Sequence, residues 1–309
     1  MFLNNVEFNE ENLESKIRDF REAYRKSQQN IVVIADFDYT ITCKFNYSSP
    51  HSPQYNTCYQ LFENYGLGHN PNIIKEADDL ARRFIKYEND PKIPYAEREK
   101  QLRRWYNESI ELHAMQGFTF DEVERKFNEV KDVFMLRRGV KEFFELLMRC
   151  GIKIIIISAG FIEAIKLTLK SLFPNINDLL DKNKIIIISN SFTYDPVTNV
   201  SNGFDKNIIF TMNKAHFIKK TVDKLGLNVK KAFVLGDNLA DFNSVDELNL
   251  SRNDIIGLGF VNLKPTELTE EFNEKNSRTI KEYKQVFDVI LKNDSGYDFL
   301  IHLFNKMRI

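Results

Sequence analysis

Apolar positions along this chain follow two periods, and the places where the period changes mark its organisation. Between residues 9 and 29 they recur at Leu13, Ile17, Phe20 and Tyr24, the spacing of one helical face. Ile31-Val32-Val33-Ile34-Ala35 then run without a polar break, as in a strand covered on both faces. Similar runs at residues 152–157, 185–188, 232–235 and 255–260 predict further strands, with another expected at 287–291. A helix is expected from Gly139 to Cys150, and helical segments near 161–173 and 214–225 separate some of the runs, as parallel crossovers require. Residues 192–204, with Tyr194-Asp195-Pro196 and Asn202-Gly203, read as a surface hairpin or turn.

One interval breaks this rhythm. After Thr40 the next strongly apolar strand arrives only at residue 152, about a hundred residues later, too long for a simple crossover. Inside it the period is helical. Ile73, Ala77, Leu80, Ala81, Phe84 and Ile85 form one stripe. Leu102, Tyr106, Ser109, Ile110 and His113 form a second, and Phe120, Val123, Phe127, Val130 and Phe134 a third. Thr119 followed by Glu122 predicts a capping box for the third, and Pro53, Pro71, Pro91 and Pro94 punctuate the stripes. The expected division is an α/β core from residues 1–44 and 137–309 and a helical cap from 45–136, and no internal repeat appears.

Composition narrows the partners. With 43% hydrophobic residues a full core is available, and a net charge of -1 gives no global attraction to nucleic acid or anionic membranes. No apolar run reaches the roughly 18 residues needed to span a bilayer, and residues 1–29 are too polar for a secretory signal. Cys43, Cys58 and Cys150 are odd in number and widely spaced, which fits reduced thiols in the cytoplasm. Cys43 lies near the acidic pair described next, but no histidine motif accompanies it to make a thiol nucleophile. With five histidines and no H-E-x-x-H or C-x-x-C motif, a zinc site is not expected.

The chemistry gathers where the apolar runs end. Asp36 and Asp38 follow the first run two residues apart, with Thr40 two further on, so both carboxylates project together from the strand's carboxyl end. Two anions held so close need a cation between them or a shared proton, and hard oxygen ligands favour magnesium. A solvated acidic loop is the plain alternative for any bare D-x-D. Residues 152–157 end in Ser158-Ala159-Gly160 ahead of an expected helix, where a hydroxyl and backbone N–H groups can hold phosphate oxygens or merely cap the helix. Residues 232–235 end in Gly236-Asp237, with Asp241 about one turn on. Asp237 reads as a metal ligand or a helix cap, and Asp241 as a water-mediated ligand or an orienting group. A phosphoryl group in transfer also calls for a second cation. Lys214 is the candidate and Lys206 its local competitor. In a parallel sheet all these strand ends share one edge.

Taken in order, Asp36-x-Asp38-x-Thr40, Ser158, Lys214 and Gly236-Asp237 with Asp241 resemble the four motifs of the haloacid dehalogenase superfamily, and the insertion after the first motif resembles members with a helical cap there. More closely, residues 35–42, Thr57-Cys58, Trp105-Tyr106, Ile157 to Gly160, Ser189-Asn190, Asn213-Lys214 and Leu235-Gly236-Asp237 resemble the cytosolic 5′-nucleotidase III, or pyrimidine 5′-nucleotidase, family. The resemblance spans nearly the whole chain. It implies a Rossmann-like parallel-sheet core and magnesium-dependent hydrolysis of nucleoside 5′-monophosphates, in a cytoplasmic monomer. Asp36 is then the nucleophile that forms an aspartyl-phosphate, and Asp38 the general acid and base. Asp36, the Asp38 carbonyl and Asp237 hold the metal, and Ser158, the Ala159 N–H and Lys214 grip phosphate oxygens.

The cap departs from that family. Where it has a base-contacting glutamate and an asparagine, this chain has Arg104 and Gln60. Arginine accepts no hydrogen bond, so reading a cytosine-type amino group there is lost unless Glu108 or Glu111 supplies the acceptor. Trp105 and Tyr106 read either as base-stacking residues or as cap core. A preference for 7-methylguanosine monophosphate or another small phosphate ester, a phosphotransferase using the same intermediate, and a non-catalytic phosphate-binding module are the alternatives.

Overall fold

The computed structural model describes residues 5–49, 51–90, 92–293 and 295–307, so Pro91 lies outside the described residues. A short strand β1 (Val6–Phe8) and helix α1 (Glu10–Lys26) precede β2 (Ile31–Ala35). The insertion carries α2 (Gln60–Glu63), α3 (Ile73–Asn89), α4 (Tyr95–Ala114) and α5 (Phe120–Val130). Helix α6 (Val140–Arg149), β3 (Lys153–Phe161), α7 (Ile162–Lys170), α8 (Ile176–Asp181) and β4 (Ile185–Asn190) follow. A hairpin of β5 (Phe192–Tyr194) and β6 (Ser201–Phe204) leads to α9 (Lys214–Lys224), β7 (Lys231–Gly236) and β8 (Ile255–Val261). The chain then forms α10 (Asn273–Val286), β9 (Val289–Lys292) and α11 (Asp298–Met307).

Seven strands make one sheet in the order β1-β9-β8-β7-β2-β3-β4, parallel except for β1, which runs against β9. Alternate residues of β2 enter different cores. Ile31 and Val33 pack in the cluster that holds Phe20 of α1 with Phe233 and Phe304. Val32 and Ile34 join Ile155, Ile218 and Val234 in another. Helices on both faces are thus why five apolar residues run together, each contributing roughly 1.5–3 kcal/mol by leaving water. The helical stripe at residues 9–29 behaves as its period dictates, with Leu13, Ile17 and Phe20 buried and Asn9 capping α1 by accepting from the Asn12 N–H. Strand β1 has only three residues and its pattern of burial is weak, which hides it in the sequence.

The insertion follows β2, the first of the parallel strands, and packs onto the core through aromatic rings. Phe62 of α2 lies 5.3 Å from Phe118, 5.0 Å from Phe161 of β3 and 5.0 Å from Phe192 of β5. The β5–β6 hairpin is stitched to the insertion rather than standing free. The Ser201 N–H donates to the Phe118 carbonyl at 2.8 Å, and the Phe118 N–H to the Ser201 hydroxyl at 3.2 Å. Thr119 caps α5 with the expected box to Glu122. None of the three cysteines is in a disulfide, and no helix among the described residues is long and apolar enough to cross a membrane.

A carboxyl in this interface gives a measurable pH effect. Glu163, at the start of α7, is 5% exposed and accepts from the Phe192 N–H at 3.2 Å. Burial pushes it up to about 7 from an ordinary 4.5, against the hydrogen bonds that lower it. The folded protein therefore binds this proton more tightly than the unfolded chain, so stability is greatest below the ordinary value and falls as pH rises towards 7. Glu163→Gln is expected to remove that loss. Its gain over wild type in urea unfolding should grow between pH 5 and pH 8 by up to about 3 kcal/mol, and equal gains at both pH values would refute the assignment.

Candidate active site

Strand β2 lies between β7 and β3, so its carboxyl end is where residues from three strands meet. Ala35 pairs with Leu235 on one side and with Ile156 on the other. Asp36 is thus level with Gly236, and its N–H donates to the Leu235 carbonyl at 3.0 Å. Asp237 leaves β7 one residue later and Ser158 lies two residues past Ile156 in β3. A Cβ at Gly236 would fall 2.3 Å from the Asp241 Cβ, so only glycine lets Asp241 approach this strand end.

The structure brings Asp36, Asp237, Asp241 and Lys214 together. Carboxylate oxygens of the three aspartates lie within 4.8 Å of one another. Lys214, the first residue of α9, donates from Nζ to Asp36 Oδ1 at 2.6 Å and to Asp241 Oδ1 at 2.7 Å. Asp241 Oδ2 accepts from the Asn238 N–H at 3.0 Å, closing a capping box on the 3₁₀ segment Leu239–Leu248. Both Asp241 oxygens are therefore engaged, one by Lys214 and the other by the Asn238 N–H. Lys206 instead lies over the Phe204 ring at 3.7 Å.

Electrostatics at this point are unbalanced. Burial lowers Lys214, but Asp241 and Asp36 overcome it and hold the ammonium well above the usual lysine range. Burial raises Asp36 far above an ordinary carboxyl, and the charges of Asp241 and Asp237 add to the effect against Lys214. Asp237 is pushed up to about 7 by burial and by Asp241, despite Lys44, Lys214 and Arg137. Three carboxyl groups share one ammonium in direct contact, which is why burial and mutual repulsion raise Asp36 and Asp237. Asp36 Oδ2 and the Asp237 carboxylate have no hydrogen-bond donor among the described residues. A hard, all-oxygen donor set short of positive charge fits a divalent cation such as magnesium.

Asp38 points elsewhere. Its Oδ1 accepts from the Cys58 N–H at 3.1 Å and lies 3.4 Å from the Cys58 thiol, just ahead of α2. Burial lifts it to about 6, against the two Cys58 contacts. That value suits a group that gives and takes a proton near neutrality. The chain turns sharply after it, with Tyr39 left-handed at φ 63°. Buried Arg137 holds this turn, donating to the Tyr39 carbonyl at 2.8 Å and the Thr40 carbonyl at 3.1 Å, and to Asn293 and Ser295 carbonyls at 3.0 Å each. Thr40 is fully buried, and its hydroxyl has no partner among the described residues.

The Ser158 segment differs from expectation. Strand β3 continues through Phe161 and α7 begins at Ile162, so Ser158 does not sit at the helix mouth. A register shift between Ile157 and Phe161 makes the turn instead. Ser158 is 2% exposed and its hydroxyl accepts from the Gly160 N–H at 3.0 Å. Asn190 fixes the same turn, donating to the carbonyls of Ala159 at 2.6 Å and Ile209 at 2.9 Å.

Beside this centre is a cavity of about 210 Å³ lined by Tyr59, Glu63, Ala77, Ala81, Trp105, Tyr106 and Ser109. Its walls reach towards the Ser158–Ala159 turn and the segment ahead of Lys214. The Tyr59 hydroxyl donates to the Ala159 carbonyl at 3.3 Å, and Tyr106 lies 5.9 Å from Phe210, four residues before Lys214. Trp105 and Tyr106 are thus on the cavity wall, whereas Gln60 and Arg104 are not. Gln60 Oε1 is occupied by the Thr57 N–H at 2.8 Å, and the exposed Arg104 is drawn to Glu108 at 2.6 Å, one turn along α4. Sequence reasoning missed Arg137, whose partners lie up to 158 residues away, and Glu63. A carboxylate directly after the buried pair Leu61-Phe62 was the available signal for Glu63.

Carboxylates at the end of a central parallel strand, a lysine at the start of α9, further aspartates after the next strand, and a helical insertion after the first motif are the arrangement expected of a phosphohydrolase of the haloacid dehalogenase type. Residues 39–308 match the pyrimidine 5′-nucleotidase (UMPH-1) family, and the chain belongs to it. It is 26% identical over 280 residues to a 7-methylguanosine phosphate-specific 5′-nucleotidase of Drosophila melanogaster, covering 87% of this chain and 77% of that one. The Homo sapiens protein of the same description is 26% identical over 302 residues, covering 92% and 87%. Cytosolic 5′-nucleotidase IIIB, solved bound to cytidine, superposes with a TM-score of 0.77 at 21% identity over 99% of this chain and 94% of that one, so the fold is shared.

Arg137 is the residue on which the turn depends. Arg137→Met removes the charged donor from four carbonyls at once, of which those of Tyr39 and Thr40 keep Asn262 and the Tyr297 hydroxyl, and is expected to destabilise the protein by about 3 kcal/mol in urea unfolding. An unchanged midpoint would show that the turn holds itself.

Proposed function

We propose that this chain hydrolyses nucleoside 5′-monophosphates to nucleoside and phosphate through an aspartyl-phosphate on Asp36, with magnesium as cofactor. The observation that carries the reading is the Lys214 ammonium shared between Asp36 and Asp241, beside the unneutralised Asp237. Lys214 holds Asp36 in place for attack on phosphorus and adds positive charge where three phosphate oxygens arrive. Asp36 Oδ2 forms the new bond to phosphorus as the bond to the nucleoside 5′-oxygen breaks. Asp38 gives its proton to that oxygen and afterwards takes one from the water that attacks the aspartyl-phosphate. Ser158 and the Ala159 N–H hold the remaining oxygens. Asp36, the Asp38 carbonyl and Asp237 are the residues to hold magnesium, which neutralises phosphate charge when bound.

The insertion, residues 45–136, serves in this reading as the substrate-specifying cap over a core of residues 1–44 and 137–309. The base occupies the cavity between Tyr59, Trp105 and Tyr106, one wall of which is tied to Ala159. A preference for 7-methylguanosine monophosphate is supported by the descriptions of the fly and human relatives and by the aromatic walls, which favour a cationic ring. A cytoplasmic setting is supported by three cysteines none of which is in a disulfide.

Phosphate release from a panel of nucleoside 5′-monophosphates checks the scheme. Asp36→Asn should abolish turnover, and Asp38→Asn should slow it about 10²- to 10⁴-fold, the usual worth of a positioned acid and base. Chelation should stop the wild type and added magnesium restore it. An Asp36→Asn protein that turns over normally would remove the nucleophile.

A further inference from the structure

Asp38 follows strand β2, but the groups that hold its carboxyl come from the insertion. The Cys58 N–H donates to Asp38 Oδ1 at 3.1 Å and, less closely, to Oδ2 at 3.3 Å. The Cys58 thiol lies 3.4 Å from the same Oδ1, and beside a carboxyl oxygen that carries no hydrogen a thiol is the donor. Two atoms of one residue thus fill Oδ1, which leaves Oδ2 as the oxygen able to carry a proton. Cys58 is itself buried and closely confined. A Cβ built on Gly160 would fall 2.6 Å from the Cys58 Cβ and 3.0 Å from its sulfur, so the cysteine fills a notch that only glycine provides. Its chain neighbours are tied as well, the Thr57 N–H to Gln60 Oε1 at 2.8 Å and the Tyr59 hydroxyl to the Ala159 carbonyl at 3.3 Å. Contacts on every side keep Cys58 facing Asp38.

We propose that Cys58 is the positioning residue for proton transfer in this centre, fixing the Asp38 carboxyl so that Oδ2 is presented to the ester oxygen. This rests on the reading that Asp38 is the general acid and base of a phosphohydrolase. As Asp36 bonds to phosphorus, the bond from phosphorus to the ester oxygen breaks. Both its electrons go to that oxygen, which takes the hydrogen from Asp38 Oδ2. Water then attacks the aspartyl-phosphate and gives a hydrogen back to Oδ2, freeing phosphate and Asp36. A proton passes only over hydrogen-bond distance, so a carboxyl free to swing loses much of its worth as an acid. The insertion thereby takes part in the chemistry without touching the phosphate, through one cysteine and its backbone N–H.

A pair of substrates separates this role from simple packing. In a nucleoside 5′-monophosphate the leaving oxygen needs a proton. In the matching 5′-S-phosphorothiolate a sulfur bridges nucleoside and phosphorus, and it departs as a thiolate without one. The ratio kcat/KM reports only the steps up to that bond breaking, so the later part of Asp38 as a base does not enter it. Cys58→Ala keeps the backbone N–H and removes only the sulfur. It should lower kcat/KM for the oxygen ester about 10-fold, the low end for a hydrogen bond to a charged group, and leave the sulfur ester nearly unchanged. Cys58→Ser, which restores a donor, should recover most of the loss, with urea unfolding showing that each variant is folded. An equal fall for both esters would mean that the side chain merely packs, and an unchanged oxygen ester that it does not hold Asp38. Either result overturns the assignment and leaves the phosphohydrolase reading intact. A wild type that cleaves neither ester removes that reading, and the role of Cys58 with it.

Discussion

A single ammonium group, buried between two carboxylates, is the constraint around which this molecule is arranged. Lys214 Nζ cannot be left alone in a low-dielectric interior, and neither can Asp36 or Asp241, so three distant parts of the chain are obliged to meet. Removing Lys214 strands both carboxylates, at a typical penalty of about 3–5 kcal/mol for a broken buried pair. The arrangement is not self-sufficient, however. Asp237 adds a further negative charge within reach of the same oxygens, and the centre as folded is short of positive charge. In the proposed reaction, that shortage is what would draw in a cation and the phosphate oxygens brought with one.

Holding such a centre open needs rigidity in the backbone that delivers it. The turn after Asp38 includes a left-handed tyrosine, a conformation that costs on the order of 1–3 kcal/mol and persists only when the surroundings over-determine it. Here the surroundings are a guanidinium buried below the turn and the Thr42 hydroxyl, which accepts the Tyr39 N–H at 2.8 Å. Arg137 also spans to the carbonyls of Asn293 and Ser295 beyond β9, so the far end of the sheet helps aim the two aspartates.

The sheet was legible in the sequence because a strand buried on both faces has no room for polar residues. Residues 31–35 announce themselves in this way, and their register with β3 and β7 puts the motif residues at one edge. The insertion was legible from its change of period, and the box at Thr119 from residue types three apart. What could not be read were contacts that depend on the third dimension alone. The extension of β3 past Ser158 follows from a bulge that no residue pattern marks. The fate of Gln60 and Arg104 was settled by neighbours, a Thr57 N–H and Glu108, that compete for them locally. Arg137 looks in sequence like any arginine between a strand and a helix, and its partners come from segments far along the chain.

The short segment from Thr57 to Glu63 has a mechanical implication. Within six residues it carries Cys58, which grips Asp38, then Tyr59, which grips Ala159, and finally Glu63 on the cavity wall. A piece of chain this brief has no internal joint, so a displacement at either end is felt at the other. Asp38, the turn at Ala159 and the recess beside them are coupled like points on one stiff rod, and whatever displaces Glu63 also shifts where Asp38 is aimed.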